Sequence, residues 1–317
     1  MSAPEALAVT DFQVDDVPDQ TGRTVVVTGA NSGLGLQTST VLASRGARVL
    51  MACRNPTKAA AALEQVAARA TGPAPETVTL DLADLSSVRS AGEQVAGMTD
   101  HVDVLVNNAG VMAVPKRRTA DGFEMQLGTN HLGHALLVDR LLPLLLAADA
   151  PRVVVESSLA HKGGTIHLGD QNYEHRRYFR WSAYGQSKLA NLLFSAELAR
   201  RAEGTNLVAL AAHPGVAATN LTDNVVPPVP GLRRVVRTAV GTVLNSDAGG
   251  ALSELYAATM PDVVPDDYLG PSGLGEASGA VARVGRTEAA ADPTLAAELW
   301  DRTAELTGAR FEALSGG

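Results

Sequence analysis

Six short apolar or β-branched runs, at residues 24–28, 48–52, 77–80, 102–106, 152–155 and 207–211, are each followed by a segment with helical spacing. Those segments cover roughly 34–45, 56–70, 84–96, 121–148, 182–201 and 246–260. Strands that alternate with helices of this length join through right-handed crossovers, so the sheet is parallel and covered on both faces. A short run near Tyr268 supplies a seventh strand, and 295–306 reads as a terminal helix. The expected fold is α/β: a single doubly wound domain with a parallel seven-stranded sheet and helices on both faces. Residues 1–20 read as an N-terminal extension and 21–317 as the domain. Pro227, Pro228 and Pro230 break the alternation, so 221–240 is expected to be a flap over a substrate site.

Composition narrows the function classes. With 45% apolar and 19% charged residues, the chain supports a large buried core rather than disorder. A net charge of −8 with no long basic run argues against a nucleic-acid partner. Cys53 is the single cysteine, which excludes an internal disulfide and fits a reducing cytoplasm; no Cys/His spacing suits a metal. Residues 1–20 carry Asp11, Asp15, Asp16 and Asp19 instead of a secretion signal. The greasiest stretch, 136–148, is interrupted by Asp139, Arg140 and Pro143, so no membrane span is expected. A cytoplasmic protein acting on a small molecule is the expectation, and a homo-oligomer is compatible with it.

The turn after the first strand reads TGANSGLG (28–35) and lacks the Gly-Lys-Ser/Thr of a P-loop. It also departs from the G-x-G-x-x-G spacing, but its physics is the same. Gly29, Gly33 and Gly35 allow a tight turn and close backbone approach, while Asn31, Ser32 and Leu34 open a helix whose N-terminus attracts pyrophosphate. A Rossmann-type dinucleotide site is the reading. An acidic residue at the end of the second strand would hold the ribose 2′-hydroxyl of NAD; here Arg54 stands in that region, a fixed cation suited to a 2′-phosphate. NADP(H) is therefore expected in preference to NAD(H). Asp81 and Leu82 end the third strand and Asn108, Ala109 and Gly110 the fourth, where each can approach the cofactor.

Tyr184 and Lys188 lie one turn apart on a helical face. With 5 tyrosines and 4 lysines, about 0.06 such pairs arise by chance. A phenol titrates near 10 and needs a nearby cation to serve as a base. A cation roughly 5 Å away lowers that value by about two units, so Tyr184 is expected to titrate well below 10.

TGANSGLG (28–35), NNAG (107–110), the Asn of TNHLGHA (129–135), the second Ser of ESS (156–158), YGQSK (184–188) and HPG (213–215) together resemble the short-chain dehydrogenase/reductase family from about Thr21 to the terminal helix. The resemblance implies that Tyr184 is the general acid/base, Lys188 its activator, Ser158 the hydroxyl holding the substrate oxygen, and Asn130 the amide positioning a relay water. It also implies that Pro214, Gly215 and Thr219 meet the cofactor, with Thr219 at the nicotinamide carboxamide. Only one of Ser157 and Ser158 faces the substrate if the strand continues, and the family's order selects Ser158. His131, His134 and His161 are expected to be packing histidines. Glu156 interrupts an apolar run without explanation, and Arg176, Arg177 and Arg180 form a basic patch.

Ser158 and Tyr184 stand 26 residues apart, about twice the spacing in many family members. The insertion at 162–180 resembles the branch of retinol dehydrogenases and protochlorophyllide reductases, as do SAYGQSKLAN (182–191) and the terminal LW (299–300) and LTG (306–308). That branch implies NADP and an apolar carbonyl or alcohol, with the insertion and flap shaping the pocket. Hydride transfer is the primary expectation. An epimerase or dehydratase on the same scaffold, or a non-catalytic nucleotide sensor, is the alternative.

Overall fold

A computed structural model describes residues 11–216 and 247–314. Eight strands form one sheet: β1 (Thr24–Thr28), β2 (Arg48–Cys53), β3 (Glu76–Thr79), β4 (Val104–Asn107), β5 (Arg152–Glu156), β6 (Val208–Ala212), β7 (Tyr268–Pro271) and β8 (Val281–Arg283). Their order is β3-β2-β1-β4-β5-β6-β7-β8. The first seven run parallel, and β8 pairs antiparallel with β7 through Leu269–Arg283, Gly270–Ala282 and Pro271–Val281. The expected seven-stranded parallel sheet thus gains an antiparallel edge. Three residues flanked by glycine-rich turns carry no alternation to read, and Arg283 is fixed there by Asp267 at 2.8 Å.

Strand alternation divides the core. Val25, Val27, Val104, Val106 and Val154 face one layer, where α1 (Gly33–Ser44) and α2 (Pro56–Ala67) pack beside the helix Asp247–Thr259. Val26, Leu105, Val153 and Val155 face the other, under α3 (Leu85–Met98), α5 (Gly133–Leu146) and α6 (Arg180–Arg201). A one-turn α4 (Met125–Leu127) leads through a π-helical turn at Gly128–Leu132 into α5. The helix Asp247–Thr259 is α7, and α8 (Pro293–Thr307) closes the chain against α6 by stacking Trp300 on Phe194 at 5.2 Å. Residues 11–20 of the extension are not a loose tail: Phe12 and Val17 are buried, and Phe12 meets Tyr256 edge-on at 5.0 Å.

Winding proceeds outward from β1 through β2 to β3, and in the opposite direction from β4 onward. The crevice at that reversal, beyond the carboxyl ends of the strands, is where doubly wound sheets bind ligands. Among the described residues no helix is long and apolar enough to cross a membrane.

Candidate active site

A cavity of about 860 Å³ opens at that crevice, near the upper end of the roughly 300–1,000 Å³ range for small-molecule sites. It collects the ends of β1 through β6. Of the expected residues, Gly29, Asn31, Ser32, Gly33, Leu34, Arg54, Asp81, Leu82, Asn108, Ala109, Gly110, Ser158, Tyr184, Lys188, Pro214 and Gly215 all line it. Gly35 and Asn130 stand behind the wall. Thr219 and the flap at 221–240 lie outside the described residues.

The glycine turn is built for close approach. Gly29 has φ +68°, and a Cβ there would meet Ala109 Cβ at 3.0 Å. At Gly35 a Cβ would fall 2.4 Å from Asn108 Nδ2, whose own hydrogen bond to Thr28 O (2.7 Å) ties β1 to β4. Ser32 precedes α1 in extended backbone and makes no side-chain capping bond, so the first N–H groups of α1 are left to an anion at the cavity wall. These features fit the pyrophosphate of a dinucleotide.

At the far end, Arg54 is exposed on the cavity rim beside Asn55 and Lys58. Asn55 caps α2 by accepting from Lys58 N at 2.9 Å, which fixes the backbone that carries both cations. Lys58 escaped the sequence reading. Its signal was its position in the first turn of the helix after Arg54. Asp81 follows the end of the neighbouring strand β3 and lines the same cavity, its Oδ1 accepting from Ala83 N at 3.0 Å.

The chemical end is assembled by α6 against the end of β5. Lys188 Nζ donates to Glu156 O at 2.9 Å, and Asn191 Nδ2 reinforces the same carbonyl at 2.9 Å. Ser157 donates to Lys188 O at 2.9 Å and is thereby committed to holding α6. Ser158 is left facing the cavity, hydrogen-bonded with the Tyr184 hydroxyl and accepting from Ala160 N at 3.2 Å. Trp181, a turn before Tyr184 and edge-on to it at 6.2 Å, forms part of the mouth; its i, i+3 spacing was the unread signal.

Asn130 sits on the π turn, fully buried. Its Oδ1 accepts from Val111 N (2.8 Å), and its Nδ2 donates to Val111 O (3.0 Å) and Ser187 Oγ (2.9 Å). These bonds lock the loop after β4 to α6, and Oδ1 keeps a second lone pair beyond them. A Cβ at Gly110 would stand 3.2 Å from Asn130 Oδ1 and 3.9 Å from Lys188 Nζ, which sets how close this wall comes to the site.

The electrostatics depart from expectation at Tyr184. Burial pushes its hydroxyl up to about 12; the Ser158 hydrogen bond pulls it down, and the Glu156 carboxyl pushes it up. The expected depression below 10 is absent from the chain itself, because Lys188 Nζ is 5.9 Å from the ring centroid and desolvation outweighs it. Tyr184 is a protonated acid at neutral pH. Burial holds Lys188 below the ordinary lysine value, against the pull of Glu156 and Glu254. Burial likewise keeps His131 and His134 neutral, pushed down to about 3 and about 4. Both pack by hydrogen bonds, His131 Nε2 with Thr303 Oγ1 at 2.8 Å and His134 Nε2 with Thr28 Oγ1 at 2.9 Å.

The insertion at 162–180 contributes no residue to the cavity wall, although Leu159, Ala160 and Trp181 on either side of it do. It buttresses the loop after β4 instead. Lys116 Nζ donates to Tyr173 O at 2.7 Å, Tyr178 to Val114 O at 2.9 Å, and Arg118 pairs with Glu174 at 2.6 Å. Arg176 is drawn into this buttress by Asp170 at 3.2 Å and by stacking over Tyr173, while Arg177 and Arg180 remain exposed.

Comparison with known proteins agrees with this geometry. The family model for short chain dehydrogenases matches residues 23–229. Retinol dehydrogenase 14 of Mus musculus is 40% identical over 300 residues, covering 90% of this chain and 86% of that protein. The crystal structure of an uncharacterized protein from Mycobacterium paratuberculosis is 44% identical with a TM-score of 0.78, covering 95% of this chain and 99% of that one. A short chain dehydrogenase from Shigella flexneri complexed with NADP shares the fold at 22% identity and a TM-score of 0.61, over 79% of this chain and 96% of its own. An oxidoreductase of alcohol and carbonyl groups that uses NAD(P) accounts for the glycine turn, the Ser158–Tyr184–Lys188 cluster and these likenesses alike. The chain belongs to the short chain dehydrogenase family, in its retinol dehydrogenase-like branch.

Proposed function

We propose that this protein is an NADP(H)-dependent oxidoreductase whose substrate is the carbonyl or alcohol of an apolar small molecule. The observation that carries the reading is the convergence of Ser158, Tyr184 and Lys188 on a cavity whose other end bears two exposed cations, Arg54 and Lys58. The cofactor, when bound, supplies or accepts the hydride. Arg54 and Lys58 bind the 2′-phosphate, and the open N–H groups of α1 bind the pyrophosphate. Ser158 donates to the substrate oxygen and orients it toward Tyr184. Tyr184, protonated at neutral pH, delivers its proton to that oxygen during reduction. Lys188 holds the cofactor ribose and steadies the charge left on Tyr184. Asn130 keeps the wall after β4 in place through both atoms of the Val111 peptide.

Apolar specificity is supported by the mouth of the cavity, where Val111, Met112, Val114, Leu159 and Trp181 supply the surface. The NADP-bound Shigella neighbour shares the fold and lends the cofactor reading its support. Turnover of NADPH and NADH against paired short polar and long apolar aldehydes and ketones tests the proposal. NADPH with the apolar members is the expected best combination. A preference for NADH, or for the short polar members, overturns it.

A further inference from the structure

Glu156 ends β5 on the same side as Val154, so its side chain enters the layer where α1 and α7 pack. It is 6% exposed and lines the active-site cavity. Glu254 reaches the same layer from α7 and is 1% exposed. Its Oε2 accepts from Thr38 Oγ1 on α1 at 3.0 Å, and its Oε1 is buried with no hydrogen-bond partner among the described residues. Lys188 Nζ is anchored on the carbonyl of Glu156 itself at 2.9 Å, and its charge acts on both carboxyls. Two buried carboxyls and one buried ammonium thus act on one another, and two ionised carboxylates would leave one charge unbalanced.

We propose that Glu156 and Glu254 retain one proton between them, and that their single shared negative charge positions the site for carbonyl reduction by holding Lys188 as an ammonium and Tyr184 as a neutral phenol. This rests on the reading of the site given above. Atoms balance simply: one proton resides on either carboxyl, and no bond other than O–H is made or broken. The titratable groups facing Glu156, among the described residues, are Lys188 and Tyr184 on α6, Glu254 on α7 and Tyr268 on β7. Burial drives both carboxyls above the ordinary range, Glu254 to about 7, with Lys188 opposing. Tyr184 feels Glu156 directly, and burial holds Tyr268 neutral throughout. Glu156 and Glu254 are positioning residues, acting on the chemistry through Lys188 and Tyr184.

Sharing has an unusual consequence, since removing either acid relocates the charge instead of deleting it. Glu156→Gln leaves the charge on Glu254, whereas Glu254→Gln concentrates it on Glu156, the carboxyl that acts on Tyr184. In single-turnover reduction with saturating NADPH, the alkaline limb of the rate should move to lower pH in Glu156→Gln and to higher pH in Glu254→Gln, the two separating by about one unit. Glu156→Asp, which keeps the charge, should restore the wild-type profile. A second readout needs no turnover: the infrared band of a protonated carboxyl at pH 7 in the full chain should be lost in both glutamine variants. In the wild type alone, that band should titrate between about pH 5 and 9. Limbs that move together or stay fixed overturn the proposal, and so does a carboxyl band untouched by either substitution. If the wild type turns over no carbonyl, the functional reading fails while the infrared result still decides whether a proton is shared.

Discussion

Replacing Arg54 with alanine should convert a strong preference for NADPH into a weak one. Arg54 and Lys58 are both exposed on the rim, so each acts on a phosphate through a nearly aqueous medium. A unit charge pair at about 4 Å is worth about 1 kcal/mol in water and about 4 kcal/mol at an effective dielectric of 20; exposure selects the lower part of that range. The guanidinium adds a charge-assisted hydrogen bond, so about 2 kcal/mol is expected from Arg54 and about 1 kcal/mol from the point charge of Lys58. At 1.4 kcal/mol per decade, Arg54→Ala should raise the NADPH Kd about 30-fold and Lys58→Ala about fivefold. NADH binding, which offers no 2′-phosphate, should change by less than about twofold in either. Fluorescence titration of both nucleotides at two salt concentrations measures this directly, and the NADPH advantage should shrink as salt rises. Equal losses for the two nucleotides, or a wild-type preference for NADH, would refute the reasoning.

Three further outcomes follow from the packing and the charges. Gly35→Ala puts a methyl carbon 2.4 Å from Asn108 Nδ2 and 2.8 Å from Gly29 O, so stability measured by denaturant should fall by about 1–3 kcal/mol, with NADPH binding weakened in the folded fraction. Glu276 is held down to about 2 by the His213 ring, whose Nε2 lies 3.3 Å away, and by its pairing with Lys162 at 2.8 Å. Its depressed value makes its stabilisation complete above about 4.5 and progressively lost as pH falls toward 2, so Glu276→Gln should flatten acid unfolding in that window by about 1–2 kcal/mol. Tyr184 has the opposite sign: raised to about 12, it stabilises the fold fully below about 10 and loses that contribution as pH rises to 12, about 2–3 kcal/mol that Tyr184→Phe should remove from the alkaline unfolding curve.

Periodicity made the central architecture legible, because β-branched runs bounded by turn residues have few alternatives once helices separate them. The first strand, its glycine turn and α1 lie where 24–28 and 34–45 indicate, within a residue or two. Edges were harder. β8 is three residues long and is held by its pairing with β7 and by Arg283 on Asp267, interactions that local propensity does not encode. Buried Phe12 and Val17 are isolated apolar residues in an acidic stretch, and only the pocket beside Tyr256 gives them a purpose. Within the site, spacing alone placed Tyr184 and Lys188 on one face. The field at Tyr184 was illegible, because it depends on desolvation and on Glu156 arriving from another element. Asn130 shows the same limit: its partners, Val111 and Ser187, are 19 and 57 residues away, and the π turn that aims it has no sequence signature.

The most direct test of the proposed chemistry compares the wild type with Tyr184→Phe in NADPH oxidation by an apolar aldehyde, with the alcohol product quantified and NADPH binding measured on the same samples. The wild type should form alcohol in step with NADPH consumed. The variant should lose about 10²–10⁴-fold in rate, the usual contribution of a positioned proton donor, while binding NADPH within about threefold of wild type. A variant that keeps its rate within tenfold while still binding NADPH would show that Tyr184 is not the proton donor.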